Sequence, residues 1–112
     1  MSSYRDLLVW EKSFSLARDV YDLSKKLPKS ETYGLISQTQ RSSVSIPSNI
    51  AEGQQRNSPK EFSQFLAIAR GSAAELSTQL LLIQEIYSFD TTDLLVRAEE
   101  IQKMLYSLQN KL

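Results

Sequence analysis

Apolar residues recur at helical spacing along almost the whole chain, and no alternating strand pattern interrupts them. Three marks divide the run: Pro28, the triplet Asn57-Ser58-Pro59, and the stretch Tyr87-Ser88-Phe89-Asp90-Thr91-Thr92. The spacing predicts helices over about 6–27, 31–55, 59–88 and 91–111. Four such helices joined by short links fold as an all-α, antiparallel up-and-down four-helix bundle, a single domain over 1–112. In the first, Leu7, Trp10, Phe14, Ala17 and Tyr21 share a stripe predicted to face the core, Trp10 included, with Glu11, Arg18, Asp19, Asp22 and Lys25 opposite.

The third segment has the clearest start, with Ser58 as N-cap, Pro59 at the first helical position and Glu61 completing a capping box. Phe62, Phe65, Leu66, Ala69, Ser72, Ala73, Leu76, Leu80, Ile83 and Tyr87 then form its core stripe. A second stripe mixes Ile68, Leu82 and Ile86 with Glu75 and Gln79, and a helix with two apolar faces is expected to touch another subunit. Gly71-Ser72 is read as a point of close helix approach. The fourth helix starts near Asp90 or Thr91, with Asp93 beside the free N–H groups of the first turn. Its Leu94, Ala98, Ile101, Leu105, Leu108 and Leu112 form a heptad-like seam.

The second segment is unlike the others. Leu35, Ile36, Thr39, Ile46 and Ile50 share one side, while Gln38, Arg41, Ser42, Ser45, Asn49, Glu52 and Arg56 occupy the opposite arc. Pro47 lies within it and predicts a kink or a break, with the hydroxyls of Ser42, Ser43 and Ser45 placed to satisfy the freed backbone groups. Gly53 is read as a helix stop. The polar arc is either solvated or a set of buried hydrogen bonds to Ser72, Glu75 and Gln79 of the third helix. In the second case Arg41 pairs with Glu75 or Glu52, since a buried guanidinium needs a carboxylate. The competing reading is a ligand or nucleic-acid groove lined by Arg41, Asn49 and Arg56. The candidate polar network or interface is therefore Gln38, Arg41, Ser45, Asn49, Glu52, Arg56, Ser72, Glu75 and Gln79. A catalytic pair of Glu52 and Glu75 is the weakest reading, because no base or metal ligand accompanies it.

Composition narrows the chemistry. The chain has no cysteine and no histidine. Disulfides, thiol catalysis and thiolate-bound metal are thereby excluded, and the usual proton carrier near neutral pH is missing. No catalytic residue, cofactor or metal is expected. No segment is apolar enough to predict a membrane span, and Met1-Ser2-Ser3-Tyr4-Arg5-Asp6 lacks a basic-then-apolar leader pattern, so the expected location is cytoplasmic. Net charge is zero, 13 basic against 13 acidic residues. Proteins that grip phosphate backbones usually carry a basic excess; here the stretch 29–60 has a local excess of two, with Lys29, Arg41, Arg56 and Lys60 against Glu31 and Glu52.

The run from Ser37 to Gly53, with its Ser-Ile-Pro-Ser-Asn-Ile-Ala-Glu-Gly core, resembles the bacterial four-helix-bundle proteins first noticed in intervening sequences of large-subunit ribosomal RNA genes. Leu8-Val9-Trp10, Leu27-Pro28, Glu31, Tyr33-Gly34-Leu35, Arg56, Ser58 and the segment Ala69–Leu76 extend the similarity over nearly the whole chain. The resemblance implies an antiparallel bundle and a ring-like pentamer. It also implies kinship with the accessory proteins of diversity-generating retroelements, whose basic barrel binds reverse transcriptase and nucleic acid. The neutral charge of this chain departs from that branch. The expected function is a non-catalytic assembly or adaptor protein, self-associating and presenting a surface to a protein partner. The alternative is a nucleic-acid-binding accessory protein using Arg41, Arg56, Lys60 and Lys29.

Overall fold

A computed structural model gives the architecture over residues 3–112; Met1 and Ser2, part of the segment without a leader pattern, lie outside the described residues. Four helices follow one another: α1 (Leu8–Ser24), α2 (Leu35–Gln55), α3 (Pro59–Tyr87) and α4 (Thr92–Asn110). They form the expected four-helix bundle, with no strand among the described residues. Sequential helices pack side by side and α4 closes against α1, so α1 and α3 stand on one diagonal and α2 and α4 on the other. At 1.5 Å per residue the 29 residues of α3 run about 43 Å, which is the longest dimension of the molecule, 43 × 21 × 20 Å.

The ends of the helices differ from the periodic pattern for local reasons. Tyr4–Asp6 is a separate 3-10 turn, started by the Ser3 hydroxyl, which accepts from the Arg5 N–H; the extended Leu7 then precedes α1. α1 stops at Ser24 rather than Leu27, because a residue before proline avoids helical backbone. The second helix begins at Leu35, four residues later than its pattern, after a 3-10 turn at Lys29–Glu31. Here the Glu31 carboxylate folds back over the helix start, accepting the Leu35 N–H at 3.1 Å and the Tyr87 hydroxyl from α3. Gly34 makes room for it, since a Cβ there would lie 2.6 Å from Glu31 Oε1. At α3 the Ser58 hydroxyl caps as expected, accepting the Glu61 N–H. At α4 the capping carboxylate is Asp90, which accepts the Thr92 N–H, while Asp93 turns to Arg97. α3 ends in left-handed backbone at Ser88, φ 57°.

The core is a single apolar column from Leu16 and Val20 through Ile46 and Ile50, Leu66, Leu76 and Leu80, to Ile101 and Leu105. A smaller cluster of Leu27, Leu35 and Ile83 seals one end. Three expectations are corrected. On α1 the buried stripe is Val9, Ser13, Leu16, Ala17, Val20 and Ser24. Of the predicted stripe, Ala17 is buried and Leu7 and Trp10 pack partly buried against the core, while Phe14, 52% exposed, and Tyr21 lie outside it, because the narrow interior takes aliphatic and small side chains from α1. Ser13 and Ser24 tolerate burial by donating to the carbonyls of Trp10 and Tyr21. Of the kink or break expected at Pro47, the break does not occur: α2 continues as one helix, because buried Ile46 and Ile50 hold it on both sides of the missing hydrogen bond. The Ser43 hydroxyl donates to the Gln40 carbonyl and that of Ser42 turns to Gln79 of α3, so neither serves the Ser43 carbonyl that Pro47 leaves unpaired within the helix.

The third correction exchanges the roles of two glycines. Gly53 does not stop α2; it is buried within the helix against α3, where a Cβ would fall 2.6 Å from Phe65 Cβ and 3.0 Å from Phe62 Cδ1. Gly71 has open space where a side chain would be. Nothing within the chain requires a glycine there, although one in mid-helix costs about 1 kcal/mol relative to alanine.

Gly53→Ala is expected to destabilise the fold by about 1–3 kcal/mol in urea unfolding, since Phe65 Cβ cannot yield without moving α3; an unchanged midpoint would show that the two helices can separate freely. The Tyr87 hydroxyl, followed by the Leu35 N–H, holds the Glu31 carboxyl below its usual range. The fold prefers the charged form, so this stabilisation is complete above the ordinary carboxylate pKa and drains away as pH falls through the lower folded value. Thermal melts between about pH 6 and pH 3 should therefore lose less in Glu31→Gln than in the native chain; equal acid slopes would contradict the assignment.

Candidate functional site

The polar arc of α2 divides into a buried centre and two open ends. In the centre the Ser42 hydroxyl lies 2.7 Å from Gln79 Oε1 and 3.3 Å from the Thr39 carbonyl. One hydroxyl proton makes one strong bond, and the shorter path to Gln79 is that bond. Gln79 is 5% exposed and so belongs to the core seam, not to the outward stripe in which its spacing placed it. One turn on, Ser45 and Ser72 hydroxyls meet at 2.8 Å, and Asn49 Nδ2 donates to both the carbonyl and the hydroxyl of Ser45. Thus the pairs Ser42–Gln79 and Ser45–Ser72 cross from α2 to α3, and Asn49 braces Ser45 from within α2.

Outside that centre the candidates separate. Gln38, Arg41, Glu75 and Gln79 line a surface dimple of about 230 Å³. Arg41 is exposed and makes no ion pair among the described residues, so neither Glu75 nor Glu52 is its partner. Its side chain reaches water, and its charge needs no carboxylate. At the other end Arg56 lies 3.9 Å from Glu52, 3.8 Å from Glu61 and over the Phe65 ring at 5.1 Å. The antiparallel register set by Ser42–Gln79 and Gly53–Phe65 puts Glu52 and Glu75 roughly 13 Å apart along the axis. The carboxylate pair considered from the sequence is therefore not assembled.

The basic candidates for nucleic acid are dispersed as well. Lys29 precedes the start of α2 and Lys60 follows its end, so about 30 Å of helix separates them, and Arg56 is already engaged by two acids. Among the described residues no cluster of acids is placed to hold a metal ion.

The sequence reading missed a groove on the α1–α2 wall. It has a volume of about 480 Å³ and is lined by Tyr4, Trp10, Phe14, Ala17, Arg18, Tyr21, Val44, Pro47, Ser48 and Ala51. Trp10 anchors it, stacked edge-on by Tyr4 at 5.3 Å and tilted against Phe14 at 5.1 Å. Arg18 is its one charged lining residue. The signal was present: α1 carries two apolar stripes, and the one with the larger rings was assigned to the core. Also unforeseen is the polar clasp on the α1–α4 wall, where Arg97 bonds Asp19 at 2.8 Å and Lys12 pairs with Glu100 at 2.9 Å. On α3 the large apolar side chains Ile68, Leu81, Leu82 and Ile86 each stand about half exposed.

Ser42→Ala should cost about 1–3 kcal/mol by stranding the Gln79 amide oxygen, and adding Gln79→Leu should recover much of that loss; strict additivity in a double-mutant cycle would deny the bond. Arg41→Ala should change stability by no more than about 0.5 kcal/mol, as for an open surface site; a large drop in melting temperature would place Arg41 in a structural role.

Comparison with known proteins accords with this geometry. The family profile of the 23S rRNA-intervening sequence proteins matches residues 5–107. A crystal structure from Bacteroides thetaiotaomicron VPI-5482, described as a protein with unknown function from the S23 ribosomal protein family, superposes with a TM-score of 0.84. It shares 27% sequence identity, over 91% of this chain and 98% of that one. No curated protein matches.

Proposed function

We propose that this chain, which belongs to the 23S rRNA-intervening sequence protein family, is a non-catalytic, cytoplasmic assembly or adaptor protein that works as a homo-oligomer. The observation that supports this reading is the outward face of α3. Ile68, Leu81, Leu82 and Ile86 are each 45–57% exposed on the helix that forms the spine of the bundle. Large apolar side chains left exposed along one helix of a folded domain suit a contact with another macromolecule. The buried polar seam of α2 and α3 keeps the bundle rigid, as a scaffold requires. The family resemblance sets a ring of five as the expected assembly, with the remaining surface free for a protein partner. The scattered basic residues make phosphate binding the less favoured role.

Static light scattering at micromolar concentration should give a mass several times 12.8 kDa; a strict monomer would overturn the reading. Gel-shift titration with structured RNA should show no binding that falls steeply with salt. Such binding would replace the scaffold with a nucleic-acid accessory role.

A further inference from the structure

Arg41 of α2 and Glu75 of α3 line the same dimple, and both are exposed. Neither makes an ion pair or a side-chain hydrogen bond among the described residues, so two opposite charges share one hollow without closing on each other. Gln79 lines that hollow too, although its side chain is only 5% exposed. Its Oε1 accepts the Ser42 hydroxyl at 2.7 Å, which fixes the amide. Its Nε2 has no partner among the described residues. Every buried side-chain polar atom there is partnered, so Nε2 is the part of Gln79 that opens onto the dimple. The bond to Ser42 serves the packing of α2 on α3. The free NH2 group is surplus to it, held still and aimed outward.

The dimple therefore offers a fixed amide donor, a free guanidinium, a free carboxylate and the exposed amide of Gln38. Guanidinium and amide N–H groups are the complement of a carboxylate, and the Glu75 carboxylate is the complement of an ammonium. Pockets for drug-sized ligands run to about 300–1,000 Å³, and this one holds about 230 Å³. Both complements must then come from one small molecule. A phosphate or a divalent cation would satisfy one flank and be repelled by the other, and a peptide terminus carries only one of the two charges. We infer that this α2–α3 dimple binds a small zwitterion of the free α-amino acid class. The carboxylate lies on Arg41 and the Gln79 amide, and the ammonium lies on Glu75, leaving Gln38 for the ligand's side chain.

Isothermal titration calorimetry of the native protein with glycine, alanine, serine and glutamate tests this. At least one of them should bind saturably at millimolar concentration or below. The N-acetyl and amide derivatives of that amino acid each lack one of its charges and should bind about tenfold more weakly or worse. Arg41→Gln and Glu75→Gln alter exposed side chains, so circular-dichroism melts should show folded proteins. Each should also lower affinity by about tenfold or more. The site is disproved if none of the four amino acids binds, if the single-charge derivatives bind as well as the parent, or if binding survives either substitution. The scaffold reading, which rests on the outer face of α3, stands or falls separately.

Discussion

The close contact between α2 and α3 is the constraint on which the rest of this bundle depends. Gly53 lets α2 come close against the Phe65 and Phe62 side chains, and Ser45 and Ser72 span the seam hydroxyl to hydroxyl. Small residues at these levels bring the helices near enough for Ser42 to reach Gln79. Once that pair is fixed, the rotation of α3 is fixed with it. Its aliphatic stripe enters the core, its Ser72–Gln79 edge is committed to α2, and its remaining arc must face outward. The exposed α3 residues follow from how much of that helix α2 has claimed.

A polar seam inside a bundle can serve as a binding site or as a stability device, and the hydrogen bonds between Ser42 and Gln79 and between Ser45 and Ser72 suit the second. Every buried side-chain polar atom among the described residues has a partner, which is the condition under which buried hydrogen bonds specify a packing instead of weakening it. An apolar seam of the same width would let α2 slide along α3 by a turn. Serine–glutamine and serine–serine pairs permit one register only. The rigidity this confers suits a molecule whose working surfaces lie on its outside.

The charged residues divide labour by wall. Between α1 and α4 the Arg97–Asp19 and Lys12–Glu100 pairs clasp the side that has the least apolar contact to offer. Between α1 and α2 the wall is left aromatic and almost uncharged, with Trp10 held from both flanks by rings. The chain thus has one zipped wall and one open wall.

The sequence by itself determined that there are four helices, where the links fall and most of the core stripes of α2, α3 and α4, although Leu112, assigned to the last, is 47% exposed beyond the helix end; it offered hydrogen bonds from α2 to Ser72 and Gln79 as one of two readings of the polar arc. These follow from helical periodicity, proline and capping chemistry, all local to a few turns. It also carried the family through the Ser37–Gly53 run. Tertiary structure alone decided which of two apolar stripes on α1 is inside, which of two glycines meets a neighbour, and that Arg41 is open to water while Gln79 is not. Periodicity states that a face is apolar, but not how far it is rotated from its neighbours or how closely they approach. Those quantities are set by the packing of four helices at once, and a one-dimensional pattern has no coordinate for them.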